Sequence, residues 1–109
     1  MKNIKEFILE GHDYWDCKYI SKEDFMKFAK QALKDSKTDP SDIMDELGQY
    51  EDPDDLDKAY EQGELSNYIA WENAVTELIS NNDKYSGKEG DIMEYVYAIA
   101  YDVLNELDK

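Results

Sequence analysis

The chain contains no arginine: all twelve basic residues are lysine, set against 27 Asp and Glu. The planar guanidinium, and with it the bidentate phosphate clamp, is therefore missing from the protein's own chemistry. There is one cysteine, Cys17, and one histidine, His12. A single thiol forms no internal disulfide, and two ligands are half of what a structural zinc site requires. Asp13 and Asp16 disfavour a thiolate, so a nucleophile and base pair is not expected there. Glycine is sparse at five residues, and Gly87-Lys88-Glu89-Gly90 lacks the spacing of a phosphate loop. No apolar run approaches the roughly 18 residues of a membrane span, and Met1-Lys2-Asn3-Ile4-Lys5-Glu6 lacks a signal-peptide apolar core. These absences lead to the expectation of a cytoplasmic protein that is not an enzyme, holds no cofactor or metal, and does not associate with membranes.

What is present is negative charge, unevenly placed. The formal net charge is −15. Residues 1–37 balance at +1, residues 38–83 reach −13 and residues 84–109 add −3. Between Asp39 and Glu64 stand eleven acids, Asp39, Asp42, Asp45, Glu46, Glu51, Asp52, Asp54, Asp55, Asp57, Glu61 and Glu64, with Lys58 as the single cation. A field of one sign repels nucleic acid and anionic lipid and attracts basic partners. A hydrophobic fraction of 41% and fourteen aromatic residues exceed what a disordered acidic tail carries. With 109 residues, one folded acidic domain over residues 1–109 is expected.

The apolar spacing is helical nearly throughout, and the alternation that strands require is missing. The expected fold is all-α, a compact bundle of about four to six helices, two of them short and acidic. A short helix is expected over Ile4 to Glu10. Tyr14 to Ile20 mixes aromatic and β-branched residues and reads as an extended connection or a short strand. Ser21-Lys22-Glu23-Asp24 has the form of a capping box and predicts a helix from Lys22 to Ser36. There Phe25, Phe28, Ala29 and Ala32 share a face, and Lys27, Lys30, Lys34 and Lys37 form a ridge opposite. Asp39-Pro40-Ser41-Asp42-Ile43 and Asp52-Pro53-Asp54-Asp55-Leu56 form a repeat thirteen residues apart. In each, Asp can cap free N–H groups and Pro suits the first helical position, so each predicts a short helix. The first is expected to turn Ile43, Met44 and Leu47 inward and Asp42, Asp45 and Glu46 outward. In the second, Leu56, Ala59 and Tyr60 are expected to face the core. Leu65, Tyr68, Trp71, Val75, Leu78 and Ile79 mark a core helix over Ser66 to Ser80, and a last helix is predicted from Gly90 to Leu107, with Tyr101 opposite its apolar stripe.

Eleven acids in 26 residues at helical rise have a mean axial spacing of roughly 3.5 Å, against roughly 3.4 Å per phosphate along one nucleic-acid strand. Such carboxylates can occupy a basic channel built for phosphates. The bland alternatives are that the acids solvate and cap two weak helices, or that the lysine ridge folds back on them as a seam of weak surface ion pairs. Calcium is not expected, because neither Asp52-Pro53-Asp54-Asp55-Leu56-Asp57 nor Asn81-Asn82-Asp83-Lys84 has the EF-hand register. In size, charge and helicity the chain resembles the acidic anti-restriction and anti-CRISPR proteins of phages and mobile elements, several of which are DNA mimics. The resemblance implies an inhibitor acting in a host cytoplasm on a basic protein that grips nucleic acid, such as a nuclease. The expected partner-binding residues are the eleven acids with Tyr50 among them. The alternative is a protein-protein adaptor or immunity-type partner that uses an aromatic patch with an acidic rim, Tyr101 being its best candidate. A self-associating homo-oligomer kept soluble by its acids is the third arrangement.

Overall fold

A computed structural model describes residues 14–108. The helix expected over Ile4 to Glu10 and His12 lie outside the described residues. Within them the protein is all-α, with six helices and no strand: α1 (Lys22–Ser36), α2 (Pro40–Leu47), α3 (Pro53–Glu61), α4 (Ser66–Ser80), α5 (Glu89–Ala98) and α6 (Ala100–Leu107). Residues 14–20 form an irregular connection. Trp15 anchors it by packing tilted against Phe25 and edge-on against Tyr95, each ring centroid 5.2 Å away, and by donating its indole N–H to the Ile20 carbonyl at 3.0 Å.

The helix starts follow local chemistry. Ser21 Oγ accepts from the Asp24 N–H at 3.2 Å and opens α1. Asp39 and Asp52 cap α2 and α3 in the same manner, each accepting the N–H two residues on, at 2.9 and 2.8 Å, with Pro at the first helical position. α1 ends on Lys37 in the left-handed region at φ 57°, a conformation that glycine adopts more cheaply.

The helices pack around α4. Its stripe of Tyr68, Trp71, Val75 and Ile79 is buried, and α1 lies along it with Phe25, Met26, Ala29 and Ala32. Trp71 Nε1 donates to the buried Ala29 carbonyl at 3.1 Å, joining the two helices through a polar bond as well as an apolar face. α2 inserts Ile43 and Leu47 against α4 and α6, while α5 rests on α4. α3 is peripheral, with Ala59 as its one buried residue.

The continuous helix predicted from Gly90 to Leu107 breaks at Ile99, whose φ of −121° leaves the helical range. The break turns the two halves toward different partners: Ile92, Met93 and Val96 of α5 toward α4, and Ala100, Val103 and Leu104 of α6 toward α2 and α1. A straight helix has one stripe direction and cannot serve both.

Candidate functional site

The acids between Asp39 and Glu64 divide into two sets. The first set is bonded inside the fold. Asp39 and Asp52 are helix caps, and the Ser41 N–H and hydroxyl, at 2.9 Å each, hold the Asp39 carboxyl below the usual carboxylate range. Glu46, expected to point outward, instead turns to the N-terminus of α4. One of its oxygens accepts the Tyr68 N–H at 2.9 Å and the other the Asn67 N–H at 3.1 Å. Leu65, at the cap position, has no side-chain acceptor to do this, so an acid 19 residues upstream of it caps the central helix and meets its positive dipole end. Asp57 accepts the Tyr97 hydroxyl at 2.7 Å, and Glu64 the Tyr50 hydroxyl at 3.5 Å, the limit of a hydrogen bond.

The second set is Asp42, Asp45, Glu51, Asp54, Asp55 and Glu61. All six are exposed on α2, α3 and the turn between and beside them. Among the described residues none is paired with a cation, since the ion pairs there are Lys22 with Glu106 at 2.8 Å and Lys84 with Asp24 at 3.8 Å. Lys27, Lys30, Lys34 and Lys37 are exposed and make no ion pair with this segment, so the internal seam does not form.

Behind α3 lies a feature the sequence reading did not single out. Tyr60 donates to Glu72 at 2.6 Å, Tyr97 donates to Asp57, and the two rings stand 5.1 Å apart. Tyr68 packs edge-on beneath both, with centroids at 6.1 and 5.9 Å. Burial is the first cause that pushes up each of these phenols, and the neighbouring carboxylates are the second; Tyr60 is held at about 12. Burial also raises Glu72, and the Tyr60 bond only partly offsets it. Helical spacing had assigned Tyr60, Tyr68 and Tyr97 to the core, and only Tyr68 is fully buried. Glu72 one turn after Tyr68 on α4 was the available signal, but its pairing partner lies on another helix.

Tyr101 is 55% exposed, the most exposed large hydrophobic among the described residues. It stands beside the end of α2, with its hydroxyl 3.7 Å from where a Cβ on Gly48 would sit. No group of three or more His, Cys, Asp or Glu side chains converges on a metal position among the described residues, and no helix there is long and apolar enough to cross a membrane. No protein family matches the chain, no curated protein is similar to it, and no solved structure matches it.

Proposed function

We propose that this protein binds a basic, nucleic-acid-gripping surface of another protein and competes there with nucleic acid, as an acidic inhibitor of the DNA-mimic kind. The observation that carries the reading is the second set of acids: five exposed carboxylates on two short helices and a sixth, Glu51, in the turn between them, none in an ion pair among the described residues and with Lys58 as the one cation of the segment. Against a single internal cation, Lys58, they present a strongly negative field, which steers and orients a basic partner. The matching class of partner is a nuclease or other nucleic-acid enzyme, and the matching role is that of an anti-restriction or anti-CRISPR inhibitor working in a host cytoplasm.

The test is capture of partners from bacterial lysate by the tagged protein, with nuclease present and washes at low and moderate salt. Asp54→Lys, Asp55→Lys and Glu61→Lys, combined, change exposed acids whose carboxylates make no hydrogen bond among the described residues, and circular dichroism of the variant checks that its helicity is retained. Loss of a specific nucleic-acid enzyme with these reversals, and with salt, supports the reading. A captured partner indifferent to both overturns it. The exposure of Tyr101 beside α2 favours a second reading, an adaptor that uses an aromatic hot spot with an acidic rim. In that case Tyr101→Ala abolishes capture and salt has little effect.

A further inference from the structure

The space bounded by α3, α4 and α5 has the character of a cation site. A pocket of about 380 Å³ opens there, lined by Tyr60, Glu72, Glu89, Met93, Glu94 and Tyr97 among others, with no cation among the described residues that line it. Glu89 is partly engaged, accepting the Gly87 N–H at 2.7 Å. Glu94 is exposed at the rim. Glu72 is half-buried, and its hydrogen bond comes from a neutral phenol. A half-buried carboxylate with no counter-ion is a costly arrangement that an incoming cation relieves.

The walls add to this. Tyr60 and Tyr97 both donate their hydroxyl protons, to Glu72 and Asp57, so each phenol oxygen keeps lone pairs free to accept from a ligand. Their rings form an electron-rich surface of the kind that attracts cations. Behind them the Tyr68 hydroxyl is buried and makes no hydrogen bond, and it lies in the field of Glu72, Tyr60 and Tyr97, three of the lining residues. Tyr68 does not itself line the pocket, so its unsatisfied hydroxyl marks a polar deficit behind the pocket wall and not a group that reaches a ligand.

From this geometry we propose that the pocket binds a guanidinium group, with Glu72 as its counter-ion, Glu94 at the mouth, and the Tyr60 and Tyr97 rings as walls. Guanidinium suits the pocket better than ammonium does. It is flat, weakly hydrated, stacks on aromatic rings and donates several N–H groups in one plane, and its aliphatic stem can lie along Met93. The chain has no arginine of its own to compete for the site. The group can come from a free alkylguanidine or from an arginine on a partner protein. The site stands on its own geometry, so it survives if the basic-partner reading fails.

The test follows two-dimensional NMR spectra of the full chain titrated with ethylguanidinium, with N-acetyl-arginine methylamide and, as a control, with ethylammonium. The expected result is saturable shifts confined to residues around Tyr60, Glu72, Met93 and Tyr97, with guanidinium probes at least several-fold tighter than ethylammonium. Glu72→Gln keeps an acceptor for Tyr60 and should weaken binding roughly tenfold, the effect of losing a charge-assisted bond. Glu94→Lys places an ammonium at the exposed rim and should weaken binding comparably without touching the core. Asp42→Lys, on α2, should leave affinity unchanged. Tighter binding of the arginine amide than of ethylguanidinium assigns the site to a peptide-borne group, and the reverse assigns it to a small molecule. Non-saturating shifts spread over α2 and α3, equal binding of ethylammonium, or unaltered affinity in both Glu72→Gln and Glu94→Lys overturns the proposal.

Discussion

α2 and α3 begin alike and are held differently. Both open on Asp-Pro, both are capped by an Asp carboxylate accepting the N–H two residues on, and both carry acids outward. α2 then buries Ile43 and Leu47 against α4 and α6, and through Glu46 it caps α4. α3 buries Ala59 alone and is tied down by side-chain bonds, Tyr97 to Asp57 and Tyr60 to Glu72. The caps determine where each helix starts, whereas apolar burial determines whether the rest of the fold depends on it. A helix with one buried residue opens locally at low cost, and an acidic face on it can adjust to a partner without loosening the core.

Several substitutions break or sharpen that comparison. Ile43→Ala should destabilise the whole protein by about 2–5 kcal/mol, and Leu56→Ala, at the matching position of α3 and half-buried, by about 1 kcal/mol or less. Denaturant midpoints check this, and equal losses would show that α3 is as integral as α2. Glu46→Ala leaves the first N–H groups of α4 without their carboxylate and should cost about 1–3 kcal/mol. By contrast Glu61→Ala, an unbonded acid on α3, should stay within about 0.5 kcal/mol.

Removing the caps has the same local effect and different global ones. Asp39→Ala should lower the global denaturant midpoint, whereas Asp52→Ala should speed amide exchange in α3 with the midpoint nearly unmoved.

The acid limb of the stability curve tests the bonded carboxylates. Asp39 is depressed in the fold by its Ser41 bonds and Asp24 chiefly by the Tyr85 hydroxyl, so their contribution is present above the unfolded carboxylate range and is lost as pH falls through their folded values. Glu72 has the opposite sign. Its folded value is raised by burial, so the fold loses stability as pH rises from the unfolded value through the raised one. Glu72→Gln should flatten that part of the curve while the Asp39 and Asp24 part remains. On the alkaline side Tyr60 is held at about 12, so its contribution is intact below the unfolded tyrosine range and lost as pH rises through that value. Tyrosine absorbance followed together with helicity during an alkaline titration measures it. Lys37→Gly runs in the opposite direction: it removes left-handed strain at the end of α1 and should gain roughly 1 kcal/mol or less.

Much of the fold was legible because the signals are short-range. Ser21, Asp39 and Asp52 cap where the sequence pattern places them, and the stripe of Tyr68, Trp71, Val75 and Ile79 is buried as its spacing predicts. The candidate site was legible only as a concentration of charge. Nothing in the local pattern separates Asp54, which is free, from Asp57, which accepts Tyr97 forty residues away. Glu46 has the outward spacing of a solvated acid and becomes a cap because α2 is folded against the start of α4.

By itself the sequence determined the helical class, the helix starts and the sign and location of the charge, since capping, periodicity and composition act within a few residues of the chain. Only the tertiary structure decided which acids remain free, where the last helix breaks, and that Tyr60, Tyr97 and Glu72 meet around one pocket. Those outcomes depend on how helices far apart in the chain are packed, and a hydroxyl or carboxylate takes whichever partner that packing brings within about 3 Å.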